Sequence, residues 1–245
     1  MFGLFKAALG FLSIIPTGRK TMLEPEEFGR FPAFYPAVGL VFGLLLYLLY
    51  FIFSGVLPPS GLAVLLCTLL IILNRGFHID GLADAADALF SHKSQEQKLI
   101  IMKDSRQGTF GVLAIVLDVL LKIRFIEIVL PLAPWMLILW PVWGRLAASS
   151  VAVRSTYVRS EGGLGRWMVE NSGPKELFQA ALFGLVLSLF GGGAAILTAL
   201  AAIFFGFFLT WVWKKSLGGV TGDLLGASIE LCEIFTIILF YILIS

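Results

Sequence analysis

Asp80, Asp84 and Asp87 fall at i, i+4 and i+7 in the stretch FHIDGLADAADALF, so in a helix they form one stripe of carboxylates. No Lys or Arg lies between them, and like charges at that spacing repel by roughly 0.2–0.5 kcal/mol per pair. A cation is expected on the stripe. Mg²⁺ suits it, because that ion takes oxygen ligands, keeps several waters, and is commonly held by one or two carboxylates plus substrate phosphates. Gly81, Ala83, Ala85, Ala86 and Ala88 leave room for a neighbouring helix or a bulky ligand to approach. His78, two residues before Asp80, is placed to orient a carboxylate or to contact phosphate.

Two further segments carry matching chemistry. Lys103, Asp104, Ser105 and Arg106 precede Gln107 and Gly108 at the entrance to an apolar helix. Cationic side chains beside a glycine-containing helix N-terminus suit a phosphate, which gains free backbone N–H groups and the helix dipole. Nearer the C-terminus, GGVTGD opens the last apolar run. There Thr221 is expected to cap, while Gly219 and Gly222 permit close backbone approach to a ligand. Asp223, Glu230 and Glu233 follow at i, i+7 and i+10. The two glutamates sit deep in an apolar helix, where an unpaired carboxylate is expensive; they need a metal, an Arg or a proton. Arg145 and Arg159 are the candidate partners, and either is also a candidate for a ligand phosphate. The Gly-rich basic stretch RSTYVRSEGGLG, Arg154 to Gly165, reads as a connecting loop or as a cover over the ligand.

Carboxylates for Mg²⁺, cations for a diphosphate and a carboxylate beside an incoming hydroxyl are the equipment for metal-assisted displacement at phosphorus. No Walker motif, Ser/His/Asp triad or Cys nucleophile is present, which favours direct in-line transfer over a covalent intermediate. Cys67 and Cys232 lie in apolar runs without metal-ligand spacing and read as buried free thiols.

The elements that must position these groups are membrane helices. Of the 245 residues 58% are hydrophobic and only 14% charged, with a mean hydropathy of +0.93. Apolar segments run over about Phe2–Ile15, Phe34–Val56, Gly61–Leu73, Phe110–Leu130, Pro134–Val153, Leu177–Phe190, Ala194–Trp213 and Leu224–Ile244. Several approach the ~20 residues that span a bilayer. The expected fold is all-α: one polytopic membrane domain over residues 1–245 with six to eight membrane segments, surrounded by lipid. The unbroken runs exclude a closed β-barrel, whose strands alternate. The apolar N-terminus has no small-residue cleavage site before Pro16 and reads as retained. A net charge of +2 with no basic stripe argues against nucleic acid, and a homo-oligomer is left open.

Connections near residues 16–33, 74–109, 154–176 and 214–222 hold 14 of the 18 Lys and Arg residues, whereas Leu57–Ser60, Pro131–Ala133 and Gly191–Gly193 carry no charge. This alternation is the positive-inside pattern, so the charged loops and the site they form are expected at the cytoplasmic face. At membrane depth, Asp118 with Lys122 (i, i+4) and Arg124 with Glu127 (i, i+3) are spaced to neutralise one another.

The segments FHIDGLADAADALFS, LIIMKDSRQGTFG, RSEGGLG and LGGVTGDLLGASIELCE, in that order, together with FLSIIPTGR near the start, resemble the cobalamin synthase family, the adenosylcobinamide-GDP ribazoletransferases. The likeness covers essentially the whole chain. It departs at Asn74-Arg75, where the family often has small residues or Gly, and at Ala88, where Gly is common. The resemblance implies an integral membrane enzyme with Mg²⁺ as cofactor. It implies attack of a ribose hydroxyl of α-ribazole, or its 5′-phosphate, on adenosylcobinamide-GDP, with release of GMP. Carried onto this chain, it implies Mg²⁺ and diphosphate at Asp80, Asp84 and Asp87, with Asp87 preferred as base. Lys103 and Arg106 would stabilise the leaving GMP, and Asp104, Asp223 and Glu230 would complete the metal or ribose contacts.

Two rival classes fit less well. A CDP-alcohol phosphatidyltransferase runs similar chemistry, but its signature needs a Gly after the second Asp and a further Asp pair at fixed spacing, and neither is here. A secondary transporter predicts carboxylates at broken helices near the midplane and internal repeats. This chain shows mostly face-located charges and no repeat.

Overall fold

A computed structural model describes residues 1–18, 23–159 and 163–245. Arg19 and Lys20 of the first basic loop, and Ser160, Glu161 and Gly162 of the RSEGGLG stretch, lie outside the described residues. The helices in chain order are α1 (Phe2–Leu12), α2 (Pro25–Phe28), α3 (Phe31–Phe53), α4 (Pro59–Leu73), α5 (Phe77–Phe90) and α6 (Gln95–Ile101). They continue as α7 (Thr109–Val129), α8 (Met136–Arg154), α9 (Leu164–Glu170), α10 (Pro174–Ser188), α11 (Gly192–Leu217) and α12 (Gly222–Ile244). The described residues contain no strand, only an isolated parallel bridge between Tyr157 and Val220.

The bundle is organised around α8, whose side chains are almost all buried. Neighbouring helices reach it through glycines. A Cβ on Gly39 or Gly43 of α3 would strike the backbone of α8 at Pro141 or Ile138, and one on Gly206 of α11 would strike Ala147 and Ser150. Close backbone approach of this kind supplies packing where lipid gives helices no hydrophobic drive to associate. The indoles of Trp140, Trp143 and Trp213 are buried with their N–H groups satisfied by the Glu233 carbonyl, Ser188 and Ser228. Outside, Phe51, Leu117, Leu120, Val186, Phe204 and Trp211 are exposed, an apolar belt suited to lipid.

Among the described residues, four stretches are long and apolar enough to cross a membrane: Phe31–Phe53, Met136–Arg154, Pro174–Leu217 and Gly222–Ile244. A fifth passes only when α4 and α5 are taken together across an 87° bend. That count reflects length and apolarity alone. Helices α4, α7 and α10 also run between charged and uncharged connections, so among the described residues seven helices join the two ends, within the six to eight expected. Helices α1, α4 and α10 are shorter than the ~20 residues a span needs. Helix α7 has the length but carries Asp118, Lys122, Arg124 and Glu127. The 44-residue stretch is in fact a hairpin: Gly184 and Ser188 meet α8 at Leu146 and Trp143, Gly191 meets Trp135, and Gly206 returns to Ala147. The turn is made at Gly192, in the left-handed region with φ 73°.

The bend between α4 and α5 is made by two successive residues with positive φ, Arg75 at 56° and Gly76 at 69°. Beyond it α5, 14 residues long, lies against the first turns of α12. The charged connections gather at this end of the bundle. Gly29 packs on Asn171, Gly218 on Gln95, and Arg159 reaches both Met102 and Asp223. The uncharged connections gather at the other end, where Trp135 touches Gly191 and Phe240.

Candidate active site

The stripe on α5 meets the start of α12. Gly81, between Asp80 and Asp84, lies so close to the Asp223 backbone that a Cβ there would overlap its carbonyl. Asp80 is exposed, and Asp84 and Asp223 are partly buried. Burial first, then the negative charges of Asp80 and Asp223, push the Asp84 carboxyl up to about 6. Three aspartates from two helices therefore crowd one another, as the spacing predicted for the first two. Among the described residues no three acidic, His or Cys side chains close into a preformed metal cage. An oxygen-only set of this openness fits Mg²⁺, which leaves most of its shell to water and phosphate.

The Lys103–Gly108 segment docks onto the same face. Gln107 Nε2 donates to Asp84 Oδ1 (3.3 Å). The backbone N–H groups of Gly108 and Gly111 donate to Asp87 Oδ2 and Oδ1 at 2.7 and 2.8 Å. Asp87 thus fills the anion site at the N-terminus of α7. One sequence expectation changes and another is extended. Gly108 does not offer its N–H to a phosphate, because a carboxylate of this chain already takes it. Asp87 has a positioning role that its spacing did not show, each oxygen taking one N–H of the helix start and keeping a further lone pair. Asp87→Ala is expected to cost about 1–2 kcal/mol, the usual worth of such a cap, and Asn, which accepts only one of the two N–H groups and sets its own NH₂ against the other, recovers only part of it. Thermal unfolding in detergent, with hydrogen exchange at residues 108–111, checks this.

Arg106 pairs with Asp104 in a bidentate contact (Nη2 to Oδ2 2.7 Å) whose guanidinium is 88% exposed. That hydrogen bonding holds the Asp104 carboxyl down at about 2. Ser105 and Lys103 are also exposed on this loop. Arg159 clamps the other side, donating to Asp223 Oδ2 (2.7 Å) and to the Met102 carbonyl (3.1 Å). Its segment is fixed by main-chain pairing. Val220 N–H donates to Thr156 O (2.9 Å), and Val158 N–H to Val220 O (3.1 Å). Gly219 is buried under that pairing, where a side chain would overlap the Thr156 carbonyl, so it packs backbone and does not face substrate. Thr221 caps α12 as expected, accepting from Leu224 N–H (3.3 Å); fully buried, its hydroxyl is not offered to a ligand. Gly222 is exposed.

Glu230 and Arg145 belong elsewhere. Lys122 of α7 sits within ion-pair distance of Asp118 (3.3 Å), Glu233 (3.0 Å) and Glu230. Arg145 contacts Glu233 Oε1 (3.2 Å), Asn74 Oδ1 (2.8 Å) and the Pro141 carbonyl (3.0 Å), and lies over the Phe42 ring. These residues are essentially fully buried. Glu230 is therefore withdrawn as a metal ligand and Arg145 as a phosphate contact: each is consumed by a charge network inside the bundle. Asp118–Lys122 and Arg124–Glu127 (2.9 Å) pair as their spacing predicted. Cys67 and Cys232 are buried and free.

Between the acidic mouth and this network lies a cavity of about 230 Å³. Asp80, Gly222 and Asp223 line its exposed end; Tyr35, Asn74, His78 and Ile229 line the buried end. His78 is buried, with Nδ1 3.8 Å from Glu230 Oε1 and no hydrogen-bond partner. Sequence reasoning passed over Asn74, Gln107 and the reach of Lys122. Gln107 stood in a recognised segment, but the other two act through residues more than 70 positions away, which no local spacing displays.

The profile of a family described as cobalamin-5-phosphate synthase matches residues 4–241. A protein of Acetivibrio thermocellus named adenosylcobinamide-GDP ribazoletransferase is 37% identical over 237 residues, covering 96% of this chain and 95% of its own. Proteins of the same name from Syntrophobacter fumaroxidans and Pseudomonas fluorescens are 38% and 40% identical, covering 96% and 94% of this chain and 96% and 95% of their own. No solved structure matches. With near-complete coverage on both sides and the acidic helices joined at one end of a membrane bundle, the chain belongs to the cobalamin-5-phosphate synthase family.

Proposed function

We propose that the protein joins α-ribazole, or its 5′-phosphate, to adenosylcobinamide-GDP. The ribose hydroxyl oxygen bonds to the phosphorus carrying the corrinoid, the bond to GMP breaks, and a phosphodiester remains. The observation that carries this reading is the meeting of the α5 stripe with Asp223, flanked by the Lys103–Arg106 loop and Arg159. Family membership and the shared name of the relatives support it.

Asp80, Asp84 and Asp223 would hold Mg²⁺, which when bound offsets charge on the diphosphate. Asp80, exposed at the cavity mouth, takes the proton of the attacking hydroxyl. Arg159 holds Asp223 in place, and Asp87 with Gln107 holds the loop against the stripe. Lys103 and Arg106, exposed on that loop, receive the negative charge of departing GMP, while Asp104 and Ser105 line its approach. Gathered at the Lys/Arg-rich end, the site faces the cytoplasm of a cell whose inner membrane holds the chain. Neither a phosphatidyltransferase nor a transporter is favoured.

The test is GMP release by purified protein in detergent, given adenosylcobinamide-GDP and α-ribazole. Turnover that disappears with chelator and returns with Mg²⁺ is expected. No release with either form of ribazole would overturn the assignment.

A further inference from the structure

Resting on the reaction just proposed, we infer that the cavity between α1, α3, α5, α9 and α12 is the seat of the fused aromatic base of ribazole. Its volume of about 230 Å³ falls below the roughly 300–1,000 Å³ of pockets that enclose a whole drug-sized ligand. It holds a part of a substrate. The corrin macrocycle is far too large. Guanine is the poorer fit: it carries several donors and acceptors, and apart from the Asp80 and Asp223 carboxylates at the mouth the walls supply few partners. Phe11, Leu12, Phe77, Leu225 and Ile229 are hydrocarbon. Tyr35 already donates its hydroxyl to Met168 sulfur (3.2 Å), and the Asn74 side-chain oxygen already accepts from Arg145 (2.8 Å).

What remains is little and specific. The Asn74 amide nitrogen has donors to give, and His78 Nδ1 is the one buried side-chain polar atom among the described lining residues without a hydrogen-bond partner. His78 is 6% exposed, and a buried orphan of this kind is costly until a ligand satisfies it. A benzimidazole-type base matches that inventory: a flat apolar ring system with a single free ring nitrogen that accepts one hydrogen bond. Seated with its rings against Leu225 and Ile229, it leaves the attached ribose at the exposed end. The hydroxyl then lies among Asp80, Gly222 and Asp223, where the proposed reaction needs it.

The test reads base selection, which is insensitive to the folded fraction of a preparation. Leu225→Phe narrows the cavity and Ile229→Ala widens it. Binding of the ribosides of benzimidazole and 5,6-dimethylbenzimidazole is measured directly on detergent-solubilised protein, alongside GMP release. Leu225→Phe is expected to weaken the dimethylated riboside by about tenfold more than the unmethylated one, the scale set by one or two methyls in an apolar pocket. Ile229→Ala shifts the ratio the other way, and the KM for adenosylcobinamide-GDP stays within about twofold in both. An unchanged riboside ratio in both variants, or a rise confined to the corrinoid KM, overturns the assignment. Cavity-dependent riboside binding without GMP release would sustain this inference while sinking the proposed reaction.

Discussion

Asp84→Asn is expected to lower GMP release by on the order of 10³-fold, the scale at which removal of one well-placed electrostatic group is felt in catalysis. The substitution changes charge and almost nothing else. Asn is isosteric, and its side-chain oxygen still accepts from Gln107, which contacts Asp84 Oδ1 at 3.3 Å. Stability is expected to hold or rise, because Asp84 is pressed by burial and by the like charges of Asp80 and Asp223. A variant that inserts normally, unfolds no earlier than the parent and fails to turn over would separate chemistry from folding. Near-parental turnover in the same preparation would remove the stripe from the mechanism.

Lys122→Met carries the largest expected effect on stability, about 3–5 kcal/mol, the cost of removing one partner from a buried ion pair. Lys122 is 2% exposed and is the shared cation of Asp118, Glu230 and Glu233. Without it three buried carboxylates keep Arg145 alone, which contacts only Glu233 among them. Thermal or chemical unfolding in detergent gives the number. Adding Glu230→Gln is expected to recover part of the loss, since one fewer charge is then stranded. A change under about 1 kcal/mol in the single variant would mean that the carboxylates carry protons and that the network is not ionic.

The sequence made the architecture readable where the signal was local. Apolar runs, the Asp118–Lys122 spacing and the Thr221 cap concern residues close together in the chain, and the alternation of charged and uncharged connections is read from the composition of each connection by itself. The structure keeps each of them. What failed to show was partnership at a distance. Asp87 matched its neighbours in type and spacing, yet the N-terminus of α7 lies over it and turns it into a cap. Glu230 and Asp223 differ by two helical turns on one helix. That short interval separates the open mouth from the buried charge network, and it depends on where Lys122 of another helix sits. Arg145 is the exception: expected to partner Glu230 or Glu233, it pairs with Glu233, so no phosphate is required. Arg75 illustrates a subtler limit. This chain places a long cationic side chain in left-handed backbone at the bend that aims the stripe, which no local pattern announces.

The main-chain pairing of Thr156 and Val158 with Val220 bears on how such sequences can diverge. Those bonds do not depend on side-chain identity, so substitutions at Thr156, Tyr157 or Val220 leave the alignment of the two segments intact. Changes of length are another matter. One residue gained or lost between Val158 and Arg159 would carry the guanidinium past Asp223, so drift here should proceed by replacement and seldom by insertion or deletion.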